Sequence, residues 1–130
     1  MSGIVVGYLA TPEGRAALDA ALEEARRHET TVVVVASARP DEGEQRAALE
    51  EALAQVASEL AAEGVSHEVR LLDGGDVADD LIATAEDVAA ELVVIGLRRR
   101  SPVGKLILGA NAQRVLFDAP CPVLTVKPAS

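Results

Sequence analysis

Three consecutive arginines, Arg98, Arg99 and Arg100, follow an apolar run, Leu92–Ile95, that ends at Gly96. Beyond them come Pro102, Gly104 and Lys105, then Gly109 just before a helix-like stretch from Asn111. A buried strand that passes through glycine into a cationic loop and a helix start has the chemistry of an anion site. Unpaired backbone N–H groups and the helix dipole favour phosphate there, and glycine lets the backbone approach it. Guanidinium forks match phosphate oxygens in pairs. On this reading Gly96 and Gly109 give backbone access, Arg98, Arg99 and Arg100 give charge, and Asn111 adds a polar contact. The competing reading of the triplet is a solvated loop that serves solubility.

Strands and helices must hold that loop in place. Ile4–Tyr8 and Thr31–Ala36 are apolar, largely β-branched runs and read as buried strands. Thr11-Pro12-Glu13 opens a helix to about Arg27, with Thr11 as cap and Pro12 at the first helical position. A long helix spans about Glu44–Ala62, with Leu49, Leu53, Val56 and Leu60 at helical spacing, and Gly64 ends it. Ser66–Leu72 alternates, which suits an edge strand. Asp73–Asp76 is a turn and cap, followed by a helix marked by Val77, Leu81, Ile82, Ala85 and Val88. Leu92–Ile95 is the fourth strand, Asn111–Asp118 the last helix and Pro122–Val126 the fifth strand. Strand and helix alternate throughout, which predicts a parallel, doubly wound α/β sheet with helices on both faces. Ligands of such sheets bind beyond the carboxyl ends of the strands at the switch point. That places Tyr8–Thr11, with Leu9, Ala10 and Thr11, on one wall and Gly96–Arg100 on the other. Val35 is either an apolar wall for a base or an ordinary core residue.

The chain has 130 residues, the size of one domain with a real core. Its formal charge of −9 argues against nucleic-acid binding. The charge is unevenly spread: residues 96–130 carry Arg98, Arg99, Arg100, Lys105, Arg114 and Lys127 against Asp118 alone. A small anion can use that local field, whereas a long polyanion would meet the acidic remainder. No apolar run approaches the roughly 20 residues a bilayer demands, and the N-terminus lacks a basic leader region, so no membrane role is expected. The single cysteine, Cys121, excludes an internal disulfide and fits a cytoplasmic location.

Other constellations are weaker. Gly104-Lys105 fails the phosphate-loop pattern G-x-x-x-x-G-K-[ST] twice, because Arg99 and Leu106 stand where glycine and a hydroxyl belong. Asp73 and Lys127 suggest a phospho-accepting domain, but Tyr8–Thr11 offers no acid to hold magnesium. His28 and His67 are isolated and read as surface residues, not metal ligands. Cys121 reads as a small apolar filler, and Asp79-Asp80 as a solvated helix face.

The spacing of Gly96 and Gly109 resembles the nucleotide loop of the universal stress protein family, G-x2-G-x9-G-[S/T]. Arg99 stands at the second glycine and Ala110 at the hydroxyl position. The opening GIVVGYLATPEGRAALDAALEEARR, the middle GGDVADDLIATAEDVAAELVVIG and the closing APCPVLTVKP also resemble the family, in the right order. The resemblance covers nearly all of residues 1–130 as one domain. It implies a five-stranded parallel sheet of order 3-2-1-4-5, with flavodoxin-like or adenine nucleotide alpha hydrolase-like architecture. It also implies nucleotide binding (ATP, AMP or cyclic AMP) and a homodimer paired through Pro122–Val126. Members that bind ATP carry an aspartate where Leu9 stands here, and leucine cannot accept a hydrogen bond. The resulting expectation is a non-catalytic stress-response domain holding a nucleotide or other phosphate ligand through Leu9, Ala10, Thr11, Val35, Gly96, Arg98–Arg100, Gly109, Ala110 and Asn111. The alternatives are a ligand-free dimeric adaptor with a degenerate site, and a slow phosphatase.

Overall fold

The computed structural model describes residues 3–8, 12–38, 41, 43–73, 76–99, 106–107 and 110–128; for Pro12, Arg98, Arg99, Leu106 and Ile107 it describes the backbone alone. In chain order the elements are β1 (Gly3–Gly7), α1 (Pro12–His28), β2 (Thr31–Ser37), α2 (Gly43–Ala62), β3 (His67–Leu72), α3 (Val77–Asp87), β4 (Leu92–Gly96), β5 (Arg98–Arg99), β6 (Leu106–Ile107), α4 (Ala110–Asp118) and β7 (Val123–Val126). The main sheet has five strands in the order β3-β2-β1-β4-β7, and every pair is parallel. This is the predicted doubly wound arrangement. The order reverses between β1 and β4, where Ile4, Val5 and Val6 pair with Leu92, Val93 and Val94.

The period-two alternation of β-strands divides the core between the two faces. Ile4, Val6, Val32, Val34 and Val94 face Ala17, Leu18, Ala21 and Ala25 of α1 and Leu53, Val56 and Leu60 of α2. Val5, Val33, Val35, Val93 and Ile95 face Ala78, Leu81 and Ala85 of α3 and Val115 of α4. The small side chains of Ala17, Ala21 and Ala25 recur every four residues and let α1 lie close on the sheet. Burying each of the larger side chains contributes roughly 1.5–3 kcal/mol, so two such clusters supply the main stabilisation. α2 ends before Gly64, whose φ of +71° is the left-handed geometry that glycine adopts without penalty. α1 and α3 are followed by the same geometry at Glu29 and Ala89, where a Cβ makes it more costly.

The element bounds match the sequence expectation within about two residues, a normal uncertainty at fraying ends. β3 is indeed an edge strand, pairing with β2 alone among the described residues. One element was not expected. Arg98 and Arg99 do not lie in an irregular loop but form β5, which pairs antiparallel with β6 through Arg98↔Ile107 and Arg99↔Leu106. Two residues per strand are too few to show an alternating pattern, so nothing local in the sequence marks this hairpin. No helix among the described residues is long and apolar enough to cross a membrane.

Candidate functional site

The carboxyl end of the sheet is where the strands release their loops toward the helix starts. Leu97 continues the β4 ladder by donating its N–H to the Val126 carbonyl at 2.9 Å. The chain then enters β5, so the first two arginines of the triplet lie on a short hairpin directly beyond β4. α4 begins at Ala110, one residue earlier than expected, and Ala110 and Asn111 are both exposed. Leu9, Ala10, Thr11, Arg100, Ser101, Lys105 and Gly109 lie outside the described residues, as do the side chains of Arg98 and Arg99.

Gly96 has a packing role that the sequence reading did not assign to it. A Cβ placed there would overlap the backbone carbonyl of Glu13 in the first turn of α1. The absence of a side chain thus lets the α1 start lie against the end of β4, which sets the position of one helix at the switch point. Val35 is 1 % exposed and packs with the cluster under α3, while its carbonyl accepts the Tyr8 N–H at 2.9 Å. Of its two expected roles, the structure places it in the core.

The start of α3 carries a polar cluster. Asp76 caps the helix from an extended backbone and accepts the Asp79 N–H at 3.1 Å. The Asp76 carboxyl is held below its ordinary range, first by that backbone hydrogen bond and then by the nearby Arg114 guanidinium. Arg114 reaches over from α4, donating from Nη1 to Asp76 at 3.2 Å and from Nη2 to Asp79. Its hydrogen bond and charge pairing with Asp79 raise its own pKa further. The Ser37 hydroxyl, at the end of β2, donates to Asp80 at 2.5 Å. Asp79-Asp80 is therefore not simply a solvated face: it ties α3 to α4 and to β2. Arg114, counted above among the cations of a local positive field, is already committed to two carboxylates. Only the topology brings these residues together, since Arg114 is 38 residues from Asp76 and Ser37 is 43 from Asp80. The N-cap itself was legible, as an aspartate just before the apolar period of a helix.

Arg46 makes a second cluster at the same end. It donates to the Ala38 carbonyl at 2.8 Å and lies 3.8 Å from Asp73 and 3.7 Å from Glu50. Asp73 is thus an exposed partner of an arginine, which agrees with its reading as a turn residue. Among the described residues no group of three or more His, Cys, Asp or Glu side chains could hold a metal ion. His67 Nδ1 lies 2.9 Å from the Val65 carbonyl, and His28 lies 3.6 Å from Glu24. Burial raises the Cys121 thiol pKa, which keeps it protonated and a poor nucleophile.

At the opposite end of the sheet, a cavity of about 650 Å³ is lined by residues that include Arg26, His28, Thr31, Glu63, Ser66 and Glu91. Arg26 and Glu63 pair there, and α1 and α2 end beside it. Helix carbonyl ends and carboxylates make that end unfavourable for phosphate. The starts of the four described helices, and so their anion-favouring dipole ends, are at the other end of the sheet.

Comparison with known proteins agrees with this architecture. The sequence profile of the universal stress protein family matches residues 1–127. A universal stress protein of Mycolicibacterium smegmatis is 44% identical over 126 residues, covering 96% of this chain and 97% of that protein. The structure of a universal stress protein from Archaeoglobus fulgidus superimposes with a TM-score of 0.82 at 33% identity, covering 98% of this chain and 99% of the other. A structure of the universal stress protein from Archaeoglobus fulgidus in complex with dAMP gives a TM-score of 0.78 at 28% identity, covering 98% of each chain. The strand order, the spacing of Gly96 and Gly109 and the match along nearly the whole length agree: this chain belongs to the universal stress protein family.

Proposed function

We propose that this protein binds a nucleotide or another small phosphate compound at the switch point between β1 and β4, with the phosphate at the start of α4. It acts by binding and not by catalysis, in the cytoplasm. One observation carries the reading. α4 is the only one of the four described helices whose first turn holds no carboxylate; α1 has Glu13, α2 has Glu44 and α3 has Asp79 and Asp80. At the other starts a carboxylate already occupies the favourable end of the dipole. At α4 that place is left to a ligand. The short hairpin puts the backbone of Arg98 and Arg99 just beyond β4, and the similar protein of Archaeoglobus fulgidus has been solved with dAMP. In this reading Arg98, Arg99 and Arg100 supply charge in place of the second glycine of the family pattern, and Asn111 supplies a polar contact in place of a hydroxyl at Ala110.

Calorimetry with ATP, AMP and cyclic AMP at two salt concentrations tests the proposal. Salt-sensitive binding that weakens in Arg99→Ala is expected. Absence of binding to all three at millimolar concentration would sink it. Phosphate release from ATP no faster than in buffer is the expected result for a non-catalytic protein.

A second reading concerns the partner. β7 pairs only with β4, leaving its other edge open among the described residues. Leu116, Phe117 and Leu124 are 38%, 84% and 37% exposed, and all lie on α4 and β7. An open strand edge beside exposed apolar side chains favours a homodimer paired through Val123–Val126. A dimer in sedimentation that dissociates in Phe117→Asp supports it, and a monomer at high micromolar concentration overturns it. If no nucleotide binds and the dimer holds, the protein is an adaptor module.

A further inference from the structure

We propose that Arg114 sets the electrostatic potential at the start of α4 by offsetting one of the two negative charges of Asp76 and Asp79 at the start of α3, and so controls how readily that start accepts an anionic group. The ligand half of this inference rests on the phosphate reading above; the electrostatic half does not.

α3 gains from its own carboxylates. Asp76 caps it, and Asp79 and Asp80 lie at the positive end of its dipole. But α3 packs beside α4 on the same face of the sheet, and Val115 of α4 shares a core cluster with Ala78, Leu81 and Ala85 of α3. Two of these charges, Asp76 and Asp79, reach α4 through Arg114 and so stand within about a turn of its start, where they would repel phosphate. Ser37 donates a hydrogen bond to Asp80 but brings no charge. Among the described residues Arg114 is the cation bonded to the cluster, to Asp76 at 3.2 Å and to Asp79. It is four residues after Ala110 and three after Asn111, so it lies about one turn into α4 on the face they share. Arg114 lies on the ligand's helix yet spends its hydrogen bonds on the neighbouring helix. Its contribution to binding is the removal of a repulsion.

The test uses the full chain and a double replacement. The first-turn amides of Asn111 and Ala112 report local potential without any ligand, because their base-catalysed exchange needs hydroxide to approach. In Arg114→Ala the uncompensated carboxylates repel hydroxide, and exchange slows by roughly threefold at low salt. Adding Asp79→Asn restores the rate. If Arg114 only pinned the helix, its loss would fray α4 and speed exchange, and Asp79→Asn would not reverse the change. Faster or unchanged exchange in Arg114→Ala overturns the proposal. In the ligand arm, AMP binds roughly tenfold more weakly to Arg114→Ala at low salt, the difference shrinks at high salt, and Arg114→Ala/Asp79→Asn recovers most of the affinity. A loss that salt does not reduce and the second replacement does not repair also overturns it. No AMP binding by the unaltered protein defeats the nucleotide reading instead, and the exchange rates then decide the role of Arg114.

Discussion

α3 and α4 lie side by side under one face of the sheet, and their first turns follow opposite rules. α3 begins with an aspartate cap and two further acids, and four of its residues are buried, Ala78, Leu81, Thr84 and Ala85. α4 begins with Ala110-Asn111-Ala112-Gln113 and has one buried residue, Val115. The first helix has an aspartate cap that accepts the Asp79 N–H, acids at its positive end, and buried residues along its length. The second has no carboxylate in its first turn, and one fully buried side chain, Val115, packs it on the core, with Ala112 partly buried beside the same cluster and Arg114 bonded to α3. A helix start that carries its own carboxylates serves stability, whereas one without them in its first turn leaves the positive end of its dipole without that compensation. The more strongly anchored helix also provides the fixed point against which the other is placed.

This contrast can be broken from the α3 side first. Leu81→Ala removes a side chain 2 % exposed in the core, and a loss of about 3 kcal/mol is expected in denaturant unfolding. A loss below about 1 kcal/mol would mean that α3 is not the anchor described. Next in size is Gly96→Ala, which forces a methyl group into the Glu13 carbonyl; because backbone must move, about 2 kcal/mol is expected from the same measurement. An unchanged midpoint would show that the α1 start can shift freely away from β4.

Asp76→Ala has a smaller effect, because an exposed cap and its bond to Arg114 are lost together. Its pH dependence has a definite sign. The Asp76 carboxyl is depressed in the folded protein, so the stability it gives is complete above the ordinary carboxylate range, near 4. It fades as pH falls through the depressed value. Side-chain NMR titration should place Asp76 below that range, and upward movement in Arg114→Ala should accompany loss of the pair. The smallest effect sharpens the contrast most directly. Asn111→Asp gives α4 the first-turn acid that α3 has, and stabilises it by about 0.5 kcal/mol in thermal unfolding. The same change weakens AMP binding. Greater stability without loss of affinity would separate the α4 start from the ligand.

Much of the fold could be read along the chain. Val32–Val35 and Val93–Ile95 are continuous apolar runs because both faces of a central parallel strand are covered. His67–Leu72 alternates because it sits at an edge. The hairpin of Arg98–Arg99 with Leu106–Ile107 was missed because two-residue strands carry no period and a run of like charge reads as solvated loop. The candidate site was legible only in part. Gly96 was recognised by spacing, but its packing partner Glu13 is remote in sequence and comes from the first βα unit. Leu9, Ala10, Thr11, Arg100 and Gly109 fall outside the described residues, so their expected roles rest on the sequence.

The sequence by itself determined the alternating elements, the helix caps and the uneven charge, because periodicity, capping and composition act over a few residues. Only the tertiary structure decided that Arg114 is not a spare cation. Its two acidic partners stand at the start of another helix, and only the packing of α3 beside α4 under the sheet brings the three within bonding distance. It also decided that the first glycine of the nucleotide-loop pattern is filled from the inside by α1, since crossover connections return distant helix starts to the ends of neighbouring strands.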